Sequence, residues 1–281
     1  MSDFSIKKMT FWNMRLQNGI RVPIYQRDYV QGRTDSKSEL IRKGLIEDLY
    51  EALTSDDKTK TLNFIYGGNE DTDISSLFTP VDGQQRLTTL FILHWFIFSM
   101  AGMNDDERKC LSKFTYATRV TSKEFCERIC EISKFEYSDE DTRTPSEVIK
   151  EYYWYTGNMN SDPSVKHMLH MLDAIAEKFK GSDYSSISEK LKNDCPISFL
   201  CLAIHDVLGT TNSVRELYIK MNARGKALTD FEIFKAQFQA SKVLERILNT
   251  TDELEKEKYI GKINNQYSNL YFDVVDEGII I

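Results

Sequence analysis

Apolar positions recur along this chain with different periods, and each period predicts an element. Between residues 38 and 53, Leu40, Ile41, Leu45, Leu49 and Leu53 fall at near-helical spacing, which predicts a helix. Upstream, Ile20-Arg21-Val22-Pro23-Ile24-Tyr25 reads as extended, because Pro23 has no N–H for a helix ladder and pushes Val22 toward β geometry. Gln26, Arg27, Asp28 and Tyr29 follow as a polar turn. Residues 61–66 and 76–81 are predicted strands, separated by the polar loop Gly67-Gly68-Asn69-Glu70-Asp71. The run that begins Leu87-Thr88-Thr89-Leu90-Phe91-Ile92-Leu93 and continues to Met103 is apolar on nearly every side, as expected of a buried helix.

Beyond Gly102 the pattern becomes mostly helical. Thr121 with Glu124, and Thr144 with Glu147, have the spacing of capping boxes, and Asp162-Pro163 has the form of an N-cap followed by proline in the first turn. Val165, Met168, Leu169, Leu172, Ile175 and Phe179 make one stripe that Gly181 would stop. Residues 197–204 form a short apolar run of strand length that periodicity alone does not separate from a buried helix. A helix over 214–221 then meets the polar turn Asn222-Ala223-Arg224-Gly225-Lys226-Ala227-Leu228, and Thr229 or Asp230 can cap the next helix. The apolar end Gly278-Ile279-Ile280-Ile281 reads as a strand cut from something longer, so a fragment is expected.

With 281 residues, 12% aromatic and 28% charged, the composition is that of a globular protein able to bury a sizeable core. A net charge of −7 argues against a surface devoted broadly to nucleic-acid backbone, although a local basic groove remains open. The five cysteines are scattered without paired metal-site spacing and read as reduced thiols. The first residues have no apolar leader core, and the apolar run 87–103 is short of a bilayer span and carries His94, so a cytoplasmic protein without a membrane segment is expected.

Candidate chemistry lies in three polar turns, each with an arginine beside an amide: Gln26-Arg27 with Tyr29, Asp82-Gly83-Gln84-Gln85-Arg86, and Asn222 with Arg224-Gly225. The guanidinium fork suits phosphate oxygens, and the second turn stands at the start of the buried helix, whose first N–H groups carry positive partial charge. If the three turns converge, they form a cradle for a triphosphate. Taken singly each has a plainer reading, such as a capped helix start with a structural ion pair. His94 is a core histidine on this reading. His167 and His170, at i and i+3, lack the partners of a metal motif, and the aromatic run Tyr152-Tyr153-Trp154-Tyr155 is packing.

Three blocks carry a family resemblance: Val22-Pro23-Ile24-Tyr25-Gln26-Arg27-Asp28-Tyr29, Asp82-Gly83-Gln84-Gln85-Arg86-Leu87-Thr88-Thr89, and Met221-Asn222-Ala223-Arg224-Gly225-Lys226-Ala227-Leu228-Thr229. In order and rough spacing they resemble the signature blocks of the GmrSD-type restriction endonuclease N-terminal domain, over residues 15 to 240. The resemblance implies an α+β fold with a small mixed sheet, similar to the ParB and sulfiredoxin core, and a large helical region. Residues 1–103 would form that core. Residues 104–281 would be mainly helical, with the 218–230 segment returning to the cleft. It also implies nucleoside-triphosphate binding and hydrolysis in bacterial defence against phage or modified DNA.

On the matching positions, Asp82, Gln84, Gln85 and Arg86 would be catalytic. Gln26, Arg27, Tyr29, Gly83, Thr88, Asn222, Arg224 and Gly225 would bind the nucleotide, and Asp82 would serve Mg²⁺, the expected cofactor. The chain departs from the family in having Gln31 where a tryptophan is frequent. Its four histidines also supply no HNH nuclease pattern, which would place any DNA cutting on a further domain or a partner chain. Two alternatives stay open: a non-catalytic nucleotide or DNA sensor that gates a separate nuclease, and a nuclease in its own right, against which the acidic balance weighs.

Overall fold

The computed structural model describes residues 5–23, 28–71, 76–117, 120–138, 140 and 142–205. Strand β1 (Ser5–Met9), helix α1 (Phe11–Gln17) and strand β2 (Gly19–Val22) come first. Helix α2 (Ser36–Thr54) leads to strands β3 (Lys60–Asp71) and β4 (Ser76–Asp82), and β4 runs directly into the long helix α3 (Gln84–Ala101). Then follow α4 (Asp105–Leu111), β5 (Phe114–Tyr116), α5 (Val120–Cys130), α6 (Pro145–Lys150), α7 (Gly157–Ser161), α8 (Pro163–Phe179), α9 (Tyr184–Lys192) and β6 (Ile197–His205).

Among the described residues the six strands make one mixed sheet in the order β1-β6-β3-β4-β2-β5. β3 is antiparallel to β4 and parallel to β6, β2 is parallel to both β4 and β5, and β1 is antiparallel to β6. With the helices gathered around it, the fold is α+β, as the family resemblance implies. The apolar run left open between strand and helix is β6. It lies between β1 and β3, so a strand from beyond the helical stretch joins the sheet built by the first hundred residues.

The predicted polar loop 67–71 is instead the second half of β3, paired with the start of β4. Gly67 explains the misleading composition: a Cβ there would stand 2.3 Å from the Thr79 carbonyl oxygen, so glycine permits close approach between strands instead of marking a turn. Thr144 and Glu147 form both halves of their capping box, and the Asp162 carboxylate caps α8 with Pro163 in its first turn. The box expected at Thr121 does not form. That residue lies inside α5, and its hydroxyl donates to Asp162 instead, as does that of Ser122 at 2.7 Å. In α2 the periodic apolar positions divide: Leu49 and Leu53 are buried, whereas Leu40 and Ile41 are exposed.

α3 is buried along almost its whole length, which its apolar sequence requires. Phe91 stacks on Phe114 of β5 at 4.5 Å between ring centroids, joining helix to sheet, while α8 and α9 pack on α3 as well. His94 sits in the middle of this helix at 1% exposure, packed on Phe11 and Phe98. Its Nδ1–H donates to the Leu90 carbonyl at 2.7 Å, and Nε2 has no hydrogen-bond partner. Burial holds the imidazole pKa down at about 4, from an ordinary 6.5.

The unfolded chain takes up this proton below pH 6.5, whereas the folded chain refuses it until about pH 4. Stability therefore falls with pH through that window, by on the order of 3 kcal/mol. Thermal melts between pH 7 and pH 4 (about) on wild type and His94→Leu test this. The variant is expected to lose part of the acid sensitivity, and identical slopes would refute the assignment.

Candidate functional site at the mouth of the buried helix

The β4–α3 junction is a single-residue hinge. Gly83 has φ +95 and ψ 3, a left-handed conformation, and a Cβ there would lie 2.7 Å from Cγ1 of Ile65. Only glycine combines that backbone with that contact. The Gly83 carbonyl accepts from the Leu87 N–H at 2.9 Å, and no side chain caps the helix at Gly83. The first turn of α3, with its positive partial charge, therefore faces the end of β4.

Arg86 leaves that turn and is fixed twice. It donates through Nη1 to the Phe64 carbonyl at 2.6 Å and through Nη2 to Oδ2 of Asp82 at 2.9 Å. Its side chain is 21% exposed and that of Asp82 51%, so the pair stands at the protein surface with the fork oriented. Tyr66 is opposite Asp82 in the β3–β4 register. Its phenol pKa is raised, first by burial and then by the Asp82 carboxylate, while the Arg86 guanidinium opposes the shift.

The two glutamines differ. Gln84 is buried at 6% exposure. Gln85 reaches back to the first block, 57 residues earlier: its Nε2 donates to the Asp28 carbonyl at 2.7 Å, and its Oε1 accepts from the Val30 N–H at 2.8 Å. Both ends of this amide are thus committed to main chain, a different task from holding a water. The hydroxyls expected near the nucleotide are also taken up inside. Tyr29 is 1% exposed and its phenol meets the Thr89 hydroxyl at 2.7 Å. Thr89 in turn donates to Oε1 of Gln31. Thr88 is 1% exposed and bonds to the Tyr116 phenol at 2.9 Å.

From the opposite side α8 grips the same segment. Ser164 Oγ accepts from the Tyr29 N–H at 3.0 Å, Nδ1–H of His167 donates to the Tyr29 carbonyl at 2.6 Å, and Nδ1–H of His170 donates to the Gly32 carbonyl at 3.3 Å. Gly32 is pressed on the helix so closely that a Cβ would fall 1.7 Å from the His167 carbonyl oxygen. Burial lowers the His167 pKa. Sequence reasoning did not assign Ser164, His167 or Gly32 to the site. The i, i+3 spacing of His167 and His170 is the one signal in the sequence that points to this face of α8.

The end of the first block and the two residues after it therefore meet the second block in space, through Asp28, Tyr29, Val30 and Gln31. Gln26 and Arg27 of the first block, and Asn222, Arg224 and Gly225 of the third, lie outside the described residues. Among the described residues no three His, Cys, Asp or Glu side chains cluster as a metal cage. The half-exposed Asp82 carboxylate has the chemistry that Mg²⁺ takes, because this ion keeps much of its water and needs only one or two carboxylates from the protein. No helix among the described residues is long and apolar enough to cross a membrane.

Compared with known protein families, residues 10–239 match the model of the GmrSD restriction endonuclease, N-terminal domain. That span covers most of the 281 residues and contains all three polar blocks. No curated protein matches the chain.

Proposed function

The chain belongs to the GmrSD restriction endonuclease N-terminal domain family, which makes it a restriction-type defence protein, and from that premise we propose that it binds and hydrolyses a nucleoside triphosphate. The observation that carries the proposal is the Arg86 fork, fixed by a carbonyl and a carboxylate at the first turn of a buried helix. Phosphoryl transfer needs positioning and charge neutralisation more than covalent chemistry, and an oriented guanidinium supplies both without reorganising during the reaction.

In this reading Arg86 binds phosphate oxygens and stabilises the charge that builds on them. Asp82 keeps the fork oriented, and its half-exposed carboxylate would hold Mg²⁺ or orient the attacking water. Mg²⁺, when bound with the triphosphate, supplies charge neutralisation across the phosphate oxygens. Gly83 lets backbone approach the ligand closely. Gln84 remains the candidate for placing the water. Gln85 and Tyr29 act as positioning residues that hold the first block against the second, close in sequence to Gln26 and Arg27, and Thr88 ties the same helix turn to Tyr116 of β5. Asn222, Arg224 and Gly225, outside the described residues, are assigned to phosphate binding by the family resemblance alone. DNA and a nuclease, in the same polypeptide or on a partner, are the partners this function would serve.

A second reading, a nucleotide sensor that gates a separate nuclease without hydrolysis, is favoured by one observation: the Gln85 amide is engaged at both ends. Purified protein with a panel of triphosphates, with and without Mg²⁺, separates the readings by phosphate release and by calorimetry. Release that depends on Mg²⁺ is expected. Binding without release would favour the sensor, and neither binding nor release would end both.

A further inference from the structure

Two aromatic side chains beside the Asp82–Arg86 pair stand apart from the packed interior. Phe64 and Tyr66 flank Ile65 on β3, where the register shifts between Leu62 and Ile65 and again after Tyr66, and their neighbouring rings put them together while Ile65 itself is fully buried in the core. Both are half-buried, with ring centroids 6.3 Å apart and planes tilted by 43°. Tyr50, Tyr137, Tyr152, Tyr155 and Tyr184 are also half-buried but pack against the continuous apolar core, whereas Phe64 and Tyr66 are not part of that packing among the described residues. Their place in the fold joins them to the charged pair: the Phe64 carbonyl is the anchor of the Arg86 fork, and Tyr66 faces Asp82 across the β3–β4 ladder.

We propose that Phe64 and Tyr66 form a stacking platform for the base of a nucleoside triphosphate whose phosphate chain meets the Arg86 fork. The inference rests on the nucleotide reading above and adds to it the subsite that distinguishes a nucleoside from a bare polyphosphate. Two rings side by side, outside the core and next to an oriented guanidinium, offer a base the apolar contact that water does not. Every base has a π face, so such a platform binds purines and pyrimidines with little selection among them. The placement follows from the β3–β4 pairing: the strand that orients Arg86 through its carbonyl carries both neighbouring rings.

The test compares two probes, the β,γ-imido analogue of ATP and inorganic tripolyphosphate, each titrated with Mg²⁺ into the full chain by calorimetry. Wild type is expected to bind the nucleotide analogue more tightly than tripolyphosphate. Tyr66→Ala and Phe64→Ala should each weaken the analogue by about 5- to 150-fold, and tripolyphosphate by less than about twofold. Tyr66→Phe should keep the wild-type affinity. Should Tyr66→Ala melt early, Tyr66→Leu keeps apolar bulk without an aromatic face and gives the same comparison.

Equal wild-type affinity for the two probes, or equal losses on both in the variants, would overturn the platform while leaving the phosphate site standing. Wild-type protein that binds neither probe would overturn both.

Discussion

Arg86→Ala is expected to lower nucleotide turnover by about 100- to 1000-fold, the usual cost of removing one preorganised donor from a developing oxyanion. The melting temperature should change little, because the Asp82–Arg86 ion pair is an i, i+4 pair at the surface and such pairs contribute little stability. Arg86→Lys sharpens the test. A lysine restores the positive charge but not the fork that bonds the Phe64 carbonyl and the Asp82 carboxylate together. Turnover should therefore stay low in the lysine variant. Wild-type rates in the alanine variant, beside an active wild type, would remove Arg86 from the mechanism.

Gly32→Ala carries the largest expected structural effect. The added methyl would fall 1.7 Å from the carbonyl oxygen of His167 and 2.5 Å from its carbonyl carbon. Both are backbone atoms of α8, so neither can swing aside. The segment must lift from the helix, and the bonds of Tyr29 to Ser164 and His167 and of Gly32 to His170 go with it. A loss of about 3 kcal/mol is expected, combining overpacking with the stranded buried groups. The urea midpoint measures the loss, and amide exchange at Tyr29 and Val30 locates it. Gly44→Ala is the control, since nothing stands within 4 Å of its added methyl on α2. An unchanged midpoint for Gly32→Ala would show that the segment does not dock on α8 as described.

The fate of the three polar blocks shows how far sequence reading reaches. The Asp82-Gly83-Gln84-Gln85-Arg86 string marks the mouth of a buried helix because an apolar run follows it, and that local rule holds in the structure. It does not say which of two adjacent glutamines faces the interior and which reaches a loop 57 residues away. The phase of α3 against the sheet and α8 decides that, and it gives Gln85 to the main chain of Asp28 and Val30.

The sequence by itself determined the α+β class, the β4–α3 junction with its glycine hinge, the α8 stripe with its Asp162 cap, and the family. The junction and the stripe rest on patterns carried within a few neighbouring residues, and the class and the family on three short blocks read together. Only the tertiary structure decided that β6 enters the sheet between β1 and β3, that Gly67 serves close approach between strands instead of a turn, that the Gly32 turn is pressed on α8, and that Ser164 and His167 bond the Tyr29 main chain. Those outcomes depend on which distant surfaces bury each other. Hydrophobic burial is non-directional, so the spacing along one segment does not specify its partner.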